Sequence, residues 1–400
     1  MTPKRAFSIA QLAAGDRFKN LKTMLKILSS IACNLDANVL LASIPLFESE
    51  KVQAIEWSFD TLFSFTEIPS WFTELVRAFG AENRLIGHGV YFSLFSGKWS
   101  KEQADWLIRL EKLCSEYRFD HITEHFGFMT GADFHQGAPL SIPYTSTTLR
   151  LGIDRLKRIQ AASNCPVGLE NLAFSYSIEE VKRHGDFLNE LVEPINGFII
   201  LDLHNLYCQI HNFDLDFADI IQQYPLHRVR EIHVSGGSWE NSLVVFDKKI
   251  RRDTHDDKVP EVVFELLKKT MPMCPNLKYV VMEQLGTGLN TEGSRQLFQK
   301  DFYVMDALID AQNKRSKNTF IESFLPKTPL KTNTLPFEDA ALLAQQMQLS
   351  NILETATDYH HAQQMLAVSD LKNSAWGVEH WQPYMLETAV AIAQKWAVEK

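Results

Sequence analysis

Residues 198–212 read FIILDLHNLYCQIHN. The apolar run FIIL ends abruptly at Asp202, and His204, Asn205, Gln209, His211 and Asn212 follow within ten residues. A short apolar run bounded by polar residues reads as a strand buried on both faces, as in a parallel sheet. Its polar end marks the place where a core gives way to a mouth.

The pattern recurs along the chain. Further apolar runs are VLLASI at 39–44, AIEWSF at 54–59, RLIGHG at 84–89, FDHITE at 119–124, CPVGLE at 165–170, VREIHV at 229–234 and KYVVME at 278–283. Between them lie stretches of helical periodicity, such as SKEQADWLIRLEKLCSEY and SIEEVKRHGDFLNELV, each opening on a serine suited to an N-cap. Eight strand–helix units predict an α/β fold closed as a (β/α)8, TIM-type barrel. A doubly wound sheet competes, but its nucleotide-binding forms carry a glycine-rich first turn that this chain lacks. Residues 1–38 read as an N-terminal extension whose FKNLKTMLKILSSIA segment suggests an amphipathic helix. The barrel is expected over 39–315, a linker over 316–335 and a helical appendage over 336–400.

Composition narrows the function classes. The net charge is -9 without a long basic run, which argues against nucleic acid as the main partner. Cys33, Cys114, Cys165, Cys208 and Cys274 are scattered, odd in number and without a CxxC pair, so free thiols in a reducing compartment are expected. No signal-like apolar segment and no membrane-length apolar run occur, and a cytoplasmic, soluble protein with no membrane partner is the expectation.

Polar residues collect at the C-terminal ends of the expected strands: His88, Glu124 with His125, Glu170 with Asn171, Asp202, His233 and Glu283. In a (β/α)8 barrel those ends share one face, where active sites are built. Asp253 and His255 lie two apart in the excursion after the seventh strand, which puts both on one side of an extended backbone. Imidazoles and carboxylates without thiolates suit iron, manganese or zinc, and so many candidates point to a cluster of two or three ions. Taken singly, each residue has a plainer reading as a satisfied polar group. A metal-free acid–base enzyme and a barrel that merely binds a ligand are the competing classes. The HVSGG stretch at 233–237 is either an anion-binding nest or a turn. Tyr144, Tyr207 and Trp239 are candidates to face substrate, with packing as the alternative.

The motifs HGV (88–90), TEH (123–125), LENLAF (169–174), LDLHNLY (201–207), EIHVSGG (231–237), DTHDD (253–257) and VMEQ (281–284) together resemble one family. It is the multinuclear non-haem iron-dependent oxidative enzymes, formerly a domain of unknown function, which include the iron subunit of the methanobactin biosynthesis enzyme. The resemblance implies a (β/α)8 barrel with two or three irons, cycling between Fe2+ and Fe3+, and O2 as cosubstrate. It implies a ribosomally made precursor peptide modified most often at cysteine, and a partner protein that recognises the peptide's leader. Carried over motif by motif, the metal ligands are His88, His125, Glu170, Asp202, His233, Asp253, His255 and Glu283. Glu124 is expected to hold an imidazole from behind, and Asn171 is a ligand or a supporting residue. Asn205 and His211 stay open between metal and hydrogen-bond roles. His204, where relatives carry Asn, is expected to support a ligand or face substrate. The chain departs from the family in lacking a G-x-x-x-R signal and a histidine in its first βα unit. It also has Gly236–Gly237 where relatives have a Gly-His pair, and it carries the helical tail. Two rival readings remain: a two- or three-metal isomerase or phosphodiesterase-like hydrolase, and a non-catalytic metal-containing binding or scaffold protein.

Overall fold

The computed structural model describes residues 26–63, 65, 67–129, 139–316, 321–328 and 334–397. Eight parallel strands close into a barrel: β1 (Leu28–Ala32), β2 (Ala54–Trp57), β3 (Leu85–His88), β4 (His121–His125), β7 (Val167–Glu170), β8 (Phe198–Asp202), β9 (Val229–Val234) and β12 (Tyr279–Met282). Two short antiparallel ribbons sit outside it, β5 (Phe128–Met129) with β6 (Pro139–Leu140), and β10 (Trp239–Asn241) with β11 (Lys249–Arg251). The helices are α1 (Ala37–Glu48), α2 (Ser70–Ala81), α3 (Lys101–Glu116), α4 (Ser146–Ser163), α5 (Ile178–Val192), α6 (Leu203–Asn212), α7 (Phe217–Ile221), α8 (Glu261–Thr270) and α9 (Glu292–Arg315). Helices α10 (Ala340–Thr355), α11 (Tyr359–Ala367) and α12 (Pro383–Ala397) form the C-terminal appendage.

The barrel is the one expected, with one strand reassigned. VLLASI is part of helix α1, and the first strand is LSSIA, inside the segment expected to be an amphipathic helix and an extension. The physical reason is the cap. Asp36 accepts the backbone N–H groups of Asn38 and Val39 at 2.8 and 3.0 Å, which starts a helix just before the apolar run. A short, mostly apolar run does not by itself separate strand from helix. The rest of that N-terminal segment, up to residue 25, lies outside the described residues.

Alternation then sorts the side chains. Ile122, Ile232 and Val234 point outward into the apolar layer between strands and helices. His121, Thr123 and His125 of β4 and Glu231 and His233 of β9 point into the barrel. The interior is therefore unusually polar, and its apolar content is confined to two small clusters around Tyr279 and Phe198. Strand register brings the mouth residues to one level, with His125 opposite Glu170 and Asp202 opposite His233.

The floor of the barrel is closed by a charged network. Asp120 receives Arg230 Nη2 at 2.8 Å, faces His121 Nδ1 at 2.9 Å and pairs with Lys278. The appendage docks on the opposite, C-terminal face. Gln346 accepts from Gly97 N–H at 2.9 Å and donates to Phe95 O at 2.7 Å. Tyr384 Oη donates to Asn212 O at 2.7 Å, and Trp381 stacks on Tyr176 at 3.7 Å. The apolar residues of the appendage are continuous with the main core. Among the described residues, no helix is long and apolar enough to cross a membrane.

Candidate metal centre

The mouth of the barrel is built strand by strand. His88 ends β3, and its Nδ1 meets Thr123 Oγ1 at 2.8 Å. The threonine hydroxyl donates to Gly87 O, so it accepts from His88 Nδ1–H and leaves Nε2 with a bare lone pair. His125 ends β4 and donates Nδ1–H to Gly89 O at 3.0 Å, which again leaves Nε2 bare. Both Nε2 atoms face the same carboxylate oxygen, Glu170 Oε2, at 3.5 Å from His88 and 3.3 Å from His125. Burial pushes both imidazoles below their usual range, so they are neutral. Two lone pairs pointing at a carboxylate oxygen repel it unless a cation lies between them.

Glu170 faces a second group as well. Its Oε1 lies 3.7 Å from His233 Nδ1, which is 3.1 Å from Glu283 Oε2. Asp202 joins this group. Its Oδ1 caps helix α6 by accepting Asn205 N–H at 2.5 Å, while its buried Oδ2 has no hydrogen-bond partner. Glu170 Oε2, His233 Nδ1 and His255 Nε2 are likewise buried without one. Ligand atoms of His88, His125 and Glu170 lie within 4.8 Å of one another, as do those of Glu170, Asp202, His233 and Glu283. A carboxylate common to two such groups is the arrangement of a bridging ligand. His255 and Asp253 complete the set from the loop after β11. His255 Nε2 stands 3.0 Å from Asp253 Oδ1 and 3.9 Å from Glu283 Oε2.

The electrostatics agree with the geometry. Burial, together with Glu283, Asp202 and Asp253, pushes Glu170 well above the carboxylate range, although His233 opposes this. Burial and Asp253 push Asp202 up to about 7. Burial disfavours a charged His233, but Glu283 and Glu56 outweigh it and raise the ring well above its usual value. These carboxylates carry more negative charge than the protein neutralises, and a bound cation supplies the balance. Orphaned donor atoms, bare imidazole nitrogens and an oxygen–nitrogen donor set fit divalent metal ions, and the centre is suited to metal-dependent catalysis.

Around this centre the structure assigns supporting roles. Asn205 Nδ2 reaches Glu170 Oε1 at 3.3 Å and Asn171 O at 2.9 Å. Asn171 spends its side chain on the backbone of Asp202, donating to its carbonyl at 3.1 Å and accepting its N–H at 2.6 Å. His204 Nε2 accepts from Arg251 at 2.9 Å, so its Nδ1–H faces Asp253 at 3.1 Å and orients that carboxylate.

One expectation is corrected, and the open readings of His211 and Tyr144 fall to hydrogen bonding and packing. Glu124 does not hold an imidazole. It sits next to His125 on the strand and therefore points out of the barrel, against Gly89 and towards Asp60, with both oxygens unpartnered. His211 lies at the far end of α6, where it meets Lys249 O at 3.2 Å and packs on Trp239, away from the centre. Tyr144 lines a cavity of about 190 Å³ between the barrel and the appendage, stacked on Phe187 at 4.4 Å and capped by Arg183. Tyr207 and Trp239 do stand at the rim, the former 6.3 Å from the His204 ring and 6.5 Å from Trp239. Gly236 and Gly237 are packing positions and not a nest. A Cβ at Gly236 would meet Lys258 O at 2.1 Å, and one at Gly237 would meet Arg252 O at 2.2 Å.

Two inward carboxylates were absent from the expected set. Glu56 on β2 and Glu231 on β9 are fully buried and face His233. The parity of β9 carried the signal, since Glu231 lies two residues before His233 and must share its face. The ends of β1 and β2, Ala32 and Trp57, bring no imidazole to the mouth, in keeping with the missing first-unit histidine.

Comparison with known proteins places this geometry. A UPF0276 protein of Acaryochloris marina is 26% identical over 207 residues, covering 51% of this chain and 70% of that protein. A UPF0276 protein of an Anaeromyxobacter species is 29% identical over 191 residues, covering 47% of this chain and 63% of the relative. The chain thus spans about three fifths to seven tenths of the length of such relatives. Among solved structures, L-ribulose 3-epimerase matches with a TM-score of 0.49 at 9% identity, over 73% of this chain and 97% of the epimerase, too distant to bear on chemistry. The family model described as RiPP precursor modification enzyme MbnB/TglH/ChrH matches residues 60–284, which hold every expected ligand. With more than half of its length so matched, the chain belongs to the MbnB/TglH/ChrH family of RiPP precursor modification enzymes.

Proposed function

We propose that the chain is a multinuclear iron enzyme that uses O2 to modify a residue, cysteine first among the candidates, in a ribosomally made precursor peptide. A partner protein that recognises the peptide's leader completes the system in this reading. The observation that carries it is Glu170, shared between a bis-histidine group and an Asp–His–Glu group within the stretch matched by that family. In this reading His88, His125, Glu170, Asp202, His233, Asp253, His255 and Glu283 hold the ions. Bound iron supplies the electron chemistry by which O2 is reduced.

The chain's own residues do the rest. Thr123 and Gly89 O fix the tautomers of His88 and His125. Asn205 steadies Glu170, and His204 steadies Asp253. Tyr207 and Trp239 offer an aromatic rim for the peptide.

A second reading is a two- or three-metal isomerase or hydrolase acting on a small molecule with manganese or zinc. The donor set favours it as much, because oxygen and nitrogen ligands without sulfur do not select a redox metal. One experiment separates the two. Protein purified anaerobically and reconstituted with Fe2+ is given O2 and any short cysteine-containing peptide found encoded beside its gene. O2 uptake with a mass change in the peptide is expected. Tight zinc, less than one iron per chain and no O2 uptake would sink the iron reading in favour of the second.

A further inference from the structure

One buried group is left over by the centre at the mouth. Glu56 points into the barrel from β2, is 0% exposed, and neither of its carboxylate oxygens has a hydrogen-bond partner. It lies before residue 60, outside the family match. Its Oε2 stands 3.2 Å from His233 Nε2, and Glu231 Oε1 stands 3.2 Å from the same nitrogen. Ligand atoms of the three residues lie within 4.8 Å of one another, and all three residues are 0% exposed.

Glu231 is held in place from below. The His121 ring sits between two carboxylates, with Nδ1 2.9 Å from Asp120 Oδ2 and Nε2 2.6 Å from Glu231 Oε2, so Glu231 Oε2 is taken. That leaves Glu231 Oε1 and Glu56 Oε2 both facing one nitrogen, with Glu56 Oε1 buried and unpartnered. One N–H cannot neutralise two carboxylates shut off from the surface, and buried charge is paired or coordinated to metal.

We propose that Glu56, Glu231 and His233 Nε2 form a second cation site, one layer deeper than the mouth, for a divalent ion such as Mn2+ or Fe2+. Bonds of about 2.2 Å meeting near a right angle put adjacent ligand atoms about 3.1 Å apart, close to both N···O separations. Two carboxylates balance the charge of one such ion, and an oxygen-rich set with one imidazole suits manganese and ferrous iron. An ion on His233 Nε2 would displace the proton there and leave Nδ1, 3.1 Å from Glu283 Oε2, with the group above, so the ring would link the deep site to the mouth. The site stands on its own geometry and is independent of the peptide reading.

The test uses the full chain, stripped of metal and loaded with Mn2+ alone. Metal content is counted after gel filtration for wild type and for Glu56→Gln, with folding checked by circular dichroism. The variant is expected to hold one ion fewer per chain than wild type. In wild-type crystals, anomalous scattering at the manganese edge is expected to place a peak among Glu56, Glu231 and His233. Equal manganese in the two proteins, or no peak at that position, overturns the proposal. The wild-type map decides the matter if the variant fails to fold. Absence of O2-dependent peptide modification, with the deep peak present, counts against the functional reading and leaves the deep site standing.

Discussion

At the floor of the barrel, Asp120 is met by Arg230, Lys278 and His121, and Arg230 also donates to Glu322 O. At the mouth, Glu170 Oε2, Asp202 Oδ2, His233 Nδ1 and His255 Nε2 are buried with no hydrogen-bond partner. Both ends bury ionisable groups at the edge of the same strands, yet only the floor balances its charges with protein groups. A network closed on itself holds structure together. One left open, with bare imidazole nitrogens aimed at carboxylates, is shaped for cations.

That contrast can be broken from either side. Glu170→Gln removes the charge common to both mouth groups and is expected to weaken metal binding more than about 100-fold, beyond the usual effect of a supporting residue. Metal content by mass spectrometry checks this, and the fold should survive because an unneutralised buried carboxylate is gone. Asp120→Asn is expected to do the reverse. It strands Arg230 and Lys278, and breaking a buried pair costs about 3–5 kcal/mol. Chemical denaturation should show that loss with metal stoichiometry unchanged. If both variants lost metal alike, the two ends would not be separate in function.

Smaller changes sharpen the contrast. Thr123→Val keeps the shape but removes the acceptor for His88 Nδ1–H, and a loss of about 10- to 100-fold in metal affinity is expected by titration calorimetry. The weakest effect concerns pH. Metal must displace the proton that burial and Asp253 hold on Asp202 up to about 7. Affinity therefore falls with falling pH below that value, approaching about tenfold per pH unit for this group. An affinity flat between pH 7 and 5 would mean that Asp202 is not a ligand.

Much of this was legible in the residues. Seven of the expected apolar runs are barrel strands, because a strand buried on both faces leaves a compact apolar signature. The first strand was hidden because LSSIA is short and half polar, while the adjacent helix α1 is apolar all round. The mouth histidines and carboxylates were visible because they interrupt apolar strands at their ends. Glu56 and Glu231 escaped because they lie inside strands, where sequence order alone does not say which carboxylate turns inward. Glu124 was misassigned for want of parity: adjacent residues on a strand face opposite ways, so it and His125 cannot share a site.

The two glycines after His233 carry a consequence for kinship among such chains. A methyl group at Gly236 or Gly237 would collide with the backbone of the segment that delivers Asp253 and His255. Those positions are closed to every other amino acid for as long as that segment rests there. A relative that keeps the glycine pair, and not the Gly-His pair of the wider family, betrays the same loop path even where a histidine or a carboxylate has been exchanged, since vacant space, unlike a ligand, has no substitute.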